Sequence, residues 1–348
     1  MTNAGQIVFV ALLLFLFLML AVSSSYPSSA TAPAATISTT ATTTTTTTTG
    51  SSMPNSSLPY QSYMDGLVVV AWPSPAGPAP KGIVVALHGC AHAALSFVTF
   101  PEHRSVVRKL VTSGLVVVAV SSTEADQFGG GCWDGLPFAD GNEDIPHVVG
   151  LLTDFFKLNK DSRLEALPMY ILGASSGGTF ATLLASHLPS SVLTKTVAGV
   201  AVYISPGNRE VLKALTMPVV FVHMQKDSWA SADAVARASK LVGGPVKSFM
   251  VKPKPVTKAE LSLKLELADD AAATTIYNSL VKDKVIGDKT GDLLLNPRSV
   301  DAGTIAAIAA TTPFLGQDRS LLEYLNACYA QHEMTDAFID DVIAFLLR

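Results

Sequence analysis

The chain has 348 residues, of which 49% are hydrophobic and 15% charged, enough to bury a large core as one big domain or two small ones. A formal net charge of −4 leaves no basic surface to attract phosphates, which argues against a nucleic-acid partner. Three cysteines, Cys90, Cys132 and Cys328, are too few for a disulfide scaffold and lack zinc-ligand spacing; neither a metal nor any other cofactor is expected of the chain.

At the N-terminus, residues 7–22 form an uninterrupted apolar run, long for a signal-peptide core and slightly short for a spanning helix. The small residues Ala21 and Ser23 follow, as a cleavage site needs. Residues 1–23 are therefore read as a signal peptide, with an uncleaved signal anchor tethering the chain to a membrane as the alternative. Both deliver the remainder to the lumenal or extracellular side. Residues 24–60 are rich in Ser, Thr, Ala and Pro and include the tract Thr42 to Thr49. Such a segment cannot bury enough apolar surface to offset the entropy of ordering it, so it is expected to be a disordered stalk, with Asn55 in an N-glycosylation sequon.

A folded domain is expected in residues 61–348, where short β-branched runs alternate with amphipathic stretches. This alternation predicts an α/β fold, doubly wound around a mostly parallel sheet. The runs are 66–72, 82–88, 115–120, 169–173, 197–204, 218–224 and 246–251, all near-continuously apolar and so expected to be buried on both faces. Pro101 is placed to open a helix that Gly114 ends. A second helix carries Ile145, Val148, Val149, Leu152, Phe155 and Phe156 on one stripe, and a third runs from the serines at 175–176 to His187, stopped by Pro189. Residues 254–330 read as an inserted, mainly helical cap. The last helix is expected to place Phe338, Ile339, Val342, Ile343 and Leu346 inward, with Thr335 as its cap and Asp336 in its first turn.

Chemistry gathers at one edge of this sheet. Gly173-Ala174-Ser175-Ser176-Gly177 matches G-x-S-x-G in a strand, turn and helix context, where small residues permit the strained backbone that exposes a nucleophilic Ser175. A second frame centred on Ser176 lacks the first glycine. A serine needs a base, and the base needs an orienting carboxylate. His223 lies inside a strand and reads as a satisfied core histidine. His332, in the loop "YAQHEMTD", is the better base. Asp227 follows the strand 218–224 closely and is preferred as the acid over Asp233, Asp269, Asp270, Asp283 and Asp288. Oxyanion donors are expected from the backbone N–H of Ser176 and from that of Cys90 or Ala91 in the "HGCAH" turn.

"VVALHGC", "GASSGG", "VHMQKD" and "QHEMT", in this order and on this strand pattern, resemble the α/β-hydrolase superfamily over about residues 64–348. Pairing of the HGC turn with Gly131-Cys132-Trp133 is similar to secreted or membrane-anchored hydrolase-like proteins of plants and algae. The resemblance implies a Ser175, Asp227, His332 triad and acyl-enzyme chemistry on a carbonyl but fixes no substrate; a small-molecule carboxylic ester is the substrate expected. A peptidase, an acyltransferase or a silent binding protein are the alternatives on the same scaffold. The cap would lie before the base rather than before the acid-bearing strand, a departure from the family's common arrangement. If the loops after strands 82–88 and 115–120 leave the same sheet edge, Cys90 and Cys132 can be bridged, leaving Cys328 as a packing residue. Trp133, Phe128 and Trp229 are candidate pocket walls.

Overall fold

The computed structural model describes residues 58–75, 77, 79–124, 131–136, 141–160, 164–188, 196–312 and 317–348, the side chains of 317 and 318 excepted. The apolar N-terminal run, the Ser/Thr-rich stretch with Asn55, Phe128 and Pro189 lie outside the described residues. Among the described residues no helix is long and apolar enough to cross a membrane.

Eight strands form one sheet: β1 (Tyr60–Tyr63), β2 (Val68–Ala71), β3 (Gly82–Leu87), β4 (Leu115–Val120), β5 (Met169–Ala174), β6 (Val197–Tyr203), β7 (Val219–Met224) and β8 (Val246–Val251). Their spatial order is β1-β2-β4-β3-β5-β6-β7-β8. Pairing is antiparallel at β1–β2 and β2–β4 and parallel from β4 to β8. Consecutive side chains in a strand point to opposite faces, so runs such as "GIVVAL" and "LVVVAV" supply two cores at once.

One face carries Ile83, Val85 and Leu87 against α2 (Asp144–Leu158), α3 (Ser176–His187) and α4 (Ala232–Ser239). The other carries Val84 and Ala86 against α1 (Pro101–Thr112) and the closing helix. Helices on both faces make the fold doubly wound. The insertion holds α5 (Lys258–Leu265), α6 (Asp270–Lys282), α7 (Ala302–Ala309) and α8 (Gln317–Tyr329), which share a third core around Leu261, Ile276, Ile305 and Leu325. Polar bonds fasten it to α1: Lys264 Nζ lies 3.0 Å from Glu102 Oε1, and Arg104 Nη2 donates to the Lys264 carbonyl at 3.0 Å.

Two expectations need correction, and one strand, β1, is not foreseen by the sequence. β8 is not buried on both faces: its residues alternate between more and less exposed, because it closes the sheet with β7 as its one partner. β1 carries no apolar run at all, and its "YQSY" is held by antiparallel pairing to β2 and by Trp72 Nε1 donating to Gln61. The closing helix α9 (Ile339–Leu346) begins four residues after Thr335 and has Phe338, half-exposed and at φ 64°, at its N-cap. Local sequence favours an earlier start, but Glu102 accepts the Asp336 N–H at 2.9 Å and Lys264 pairs with the Asp336 carboxylate at 2.6 Å, fixing that stretch in a non-helical form.

Candidate active site

β5 ends at Ala174, and the chain must reverse into α3 within a single residue. Ser175 takes that turn at φ 55° and ψ −118°, a conformation that side-chain-bearing residues rarely adopt. The turn is possible because Gly173 and Gly177, two residues to either side, lack side chains. A Cβ on Gly173 would lie 2.0 Å from the Gly177 carbonyl oxygen, and one on Gly177 would lie 2.3 Å from that of His88. The close approach of backbones, rather than loop flexibility, is what the glycines serve.

The Ser175 Oγ lies 2.8 Å from His332 Nε2, and His332 Nδ1 lies 2.7 Å from Asp227 Oδ2. A carboxylate can only accept, so the Nδ1 atom carries the hydrogen and Nε2 is left to accept from the serine hydroxyl. Asp227 is buried, and burial alone would raise its carboxyl. Hydrogen bonds from His332 and from the Ala230 and Trp229 N–H groups, at 3.0 and 2.8 Å, hold it below the ordinary carboxylate range. The structure thus brings together Ser175, His332 and Asp227, which lie 157 and 105 residues apart in sequence.

The turn after β3 closes against the serine, with the position of a Gly89 Cβ only 3.5 Å from that of Ser175. Of the two oxyanion candidates in this turn, Ala91 donates its N–H to the Gly131 carbonyl at 3.1 Å, which leaves Cys90 as the available one. Ser176 begins α3, so its N–H belongs to the unpaired first turn of that helix. Cys90 and Cys132 are bonded in a disulfide, while Cys328 is a buried free thiol whose pKa burial pushes up to about 12.

His88 supports the turn from below. Its Nδ1 donates to the Gly89 carbonyl at 2.7 Å and its Nε2 accepts the Ser122 N–H at 3.1 Å, a neutral tautomer. Burial lowers its pKa to about 4, against the opposing pull of the Gly89 carbonyl. Asp144, at the start of α2, gathers the following loop by accepting from the N–H groups of Thr123 and Asp134.

The two tryptophans part company. Trp133 is 4% exposed, stacks on Phe180 at 4.6 Å between centroids, and donates its indole N–H to the His88 carbonyl at 2.8 Å. It braces the turn and is not an open wall, because a ring stacked inside the core presents no face to a ligand. Trp229 is 70% exposed and meets the His332 ring edge-on at 4.7 Å, so it stands on the rim of the site. His223 is buried as expected, but its Nδ1 has no hydrogen-bond partner among the described residues.

No family model matches the chain, and no curated protein matches it either. Solved structures that it resembles include Est1E from Butyrivibrio proteoclasticus with bound ferulic acid, at 12% identity and a TM-score of 0.39, covering 56% of this chain and 86% of that one. XC6422 from Xanthomonas campestris, an α/β serine hydrolase without a lid, matches at 13% identity and a TM-score of 0.39, over 56% and 79% of the two chains. Esterase B from Lactobacillus rhamnosis matches at 15% and 0.40, over 53% and 69%. Resemblance at this level carries no chemical information.

Arg298, from the insertion, is a site residue that sequence reasoning missed. It donates to the His332 carbonyl at 2.6 Å, and its guanidinium lies 5.5 Å from the Trp229 ring. Nothing in the pattern around "NPRSV" distinguishes it from any loop arginine.

Proposed function

We propose that this protein is a serine hydrolase of the α/β-hydrolase type that cleaves carboxylic esters of small molecules through an acyl-enzyme. The observation that carries this reading is the continuous chain from the Ser175 hydroxyl through His332 to the Asp227 carboxylate, set on a strained turn at the carboxyl edge of the sheet.

In the proposed reaction the Ser175 oxygen attacks the ester carbonyl as His332 Nε2 takes its proton. Asp227, held ionised by its three hydrogen bonds, stabilises the imidazolium that forms. Negative charge on the carbonyl oxygen is met by the N–H groups of Cys90 and Ser176, backed by the N-terminal end of α3. The imidazolium then protonates the departing alcohol. Water repeats the sequence on the acyl-enzyme, giving the carboxylic acid and the free serine. Trp229 is placed to receive an apolar part of the substrate beside the imidazole. A disulfide under the Cys90 turn agrees with delivery to an oxidising compartment through residues 1–23, followed by a stalk over 24–60, with residues 61–348 as the hydrolase domain.

The test is fluorophosphonate labelling together with hydrolysis of p-nitrophenyl esters of graded chain length. Wild-type protein should label and turn over, with both lost in Ser175→Ala at unchanged circular dichroism. Folded wild-type protein that neither labels nor hydrolyses any ester of the series would overturn the reading in favour of a binding protein.

A further inference from the structure

Behind the base lies a second cluster of ionisable groups that the hydrolytic reading does not use. His92 follows the Cys90 turn, His103 sits in the first turns of α1, Glu323 is on α8, and Glu333 is the residue after His332. Atoms of His92, Glu323 and Glu333 able to bind a metal all lie within 4.8 Å of one another. His92 Nε2 is 2.8 Å from Glu323 Oε1, and His103 Nδ1 is 3.9 Å from Glu323 Oε2. Glu323, Glu333 and His103 are 4%, 7% and 2% exposed.

Three observations suit this arrangement to a cation. First, Glu323 Oε2 and His103 Nδ1 face each other buried, and neither has a hydrogen-bond partner among the described residues. Leaving such atoms unpaired is costly. Second, His92 Nδ1 lies 2.9 Å from the Cys90 carbonyl, which can only accept, so that nitrogen holds a hydrogen. At 2.8 Å the Nε2 atom and Glu323 Oε1 share a proton, and a metal ion would take the place of that proton. An imidazole that donates one N–H to a backbone carbonyl and offers its other nitrogen to a group of carboxylates is the arrangement of a metal-ligating histidine. Third, two carboxylates are buried side by side, and the nearby guanidiniums compensate them poorly. Arg319 Nε is 3.6 Å from Glu323 and Arg298 Nη2 is 3.9 Å from Glu333, while both arginines spend donors on the carbonyls of Ala91 and His332.

We propose that His92, Glu323 and Glu333, with His103 as a fourth donor, bind one divalent transition-metal ion. Two imidazoles and two carboxylates suit zinc, and four protein donors make a closed site of the structural kind. Zinc sits about 2.0–2.2 Å from such donors, so the side chains, His103 above all, would have to rotate inward to close on it. The ion ties the turn that carries Cys90, α1, α8 and the His332 segment to one point. Its role is to position, since none of its ligands touches Ser175. The proposal stands whether or not Ser175 is a nucleophile.

The test uses the full chain purified without chelators. Elemental mass spectrometry should find about one zinc per chain. Removal by chelator should lower the melting temperature, and zinc at about 100 times its Kd should restore at least about 5 °C. Glu323→Gln and Glu333→Gln should lose both the bound metal and the zinc-induced shift. If either variant fails to fold, His103→Gln, at the edge of the cluster, should weaken zinc binding at least tenfold in a folded chain. Wild-type protein that folds with negligible metal and melts at the same temperature with or without zinc would overturn the proposal. So would a chelator-treated Glu333→Gln variant that is more stable than wild type whether or not zinc is supplied, since the cluster would then be a proton-sharing carboxyl group network.

Discussion

Asp227 holds His332 Nδ1 at 2.7 Å from its Oδ2, while its Oδ1 accepts from the N–H groups of Trp229 and Ala230. The carboxylate is thereby oriented by its own turn before it orients the imidazole. Asp227→Asn keeps the shape but offers a donor where the base needs an acceptor, so the histidine would be held in the wrong tautomer. Ester hydrolysis at neutral pH should fall about 10³–10⁴-fold, with melting temperature moving by only a few degrees. Steady-state kinetics beside a thermal melt checks both halves of the expectation.

The elbow can be tested by volume alone. Gly177→Ala places a methyl 2.3 Å from the His88 carbonyl oxygen and 2.5 Å from that of Leu87, so either β3 or α3 must move. A loss of about 3 kcal/mol or more is expected. Gly150→Ala, on the exposed side of α2 where an added Cβ meets nothing within 4 Å, should instead gain about 0.5–1 kcal/mol. Denaturant titration of the pair separates a steric requirement from a general dislike of substitution.

The disulfide joins residues 42 apart. Closing a loop of that length restricts the unfolded chain by about 4 kcal/mol on the chain-entropy account. Cys90→Ala with Cys132→Ala should therefore destabilise by roughly 2–4 kcal/mol. The double variant should also reduce kcat, because the Cys90 N–H loses its anchor. Equilibrium unfolding and ester kinetics measure the two effects.

His88 predicts a specific acid weakness. Its folded pKa is depressed from 6.5 to about 4 by burial, with His92 adding to the depression and the Gly89 carbonyl and Asp144 opposing it. The unfolded chain therefore binds the proton first as pH falls. The stability present above pH 6.5 is lost progressively down to about pH 4, by about 3 kcal/mol in all. Unfolding free energies at pH 7 and pH 5 should differ by about 2 kcal/mol from this group, and His88→Asn should flatten that slope.

The elements legible in sequence were those whose patterning and burial agree. The apolar runs of β2 to β7, the Pro101 helix and the Ser175 turn each follow from side-chain chemistry within a few residues. β1 escaped because its four polar and aromatic residues join the sheet through backbone bonds that no composition reveals. The start of α9 escaped because Glu102 and Lys264, more than seventy residues away, outweigh the capping preference of Thr335. Ser175, Asp227 and His332 could be singled out because their spacing follows the strand order of a known architecture. The cluster of His92, His103, Glu323 and Glu333 could not, since its four members come from separate segments with no recurring interval.

Ser175 sits at φ 55° and ψ −118°, a state that costs a residue with a side chain about 1–3 kcal/mol and glycine far less. Losing the hydroxyl at this position is consequently a downhill change for the fold, and Ser175→Gly is the variant that should melt later than its parent. A lineage in which the reaction had ceased to matter would meet no thermodynamic resistance to drifting toward glycine here. An oxygen at so uncomfortable a place is what the proposed chemistry requires and what the backbone alone would not favour.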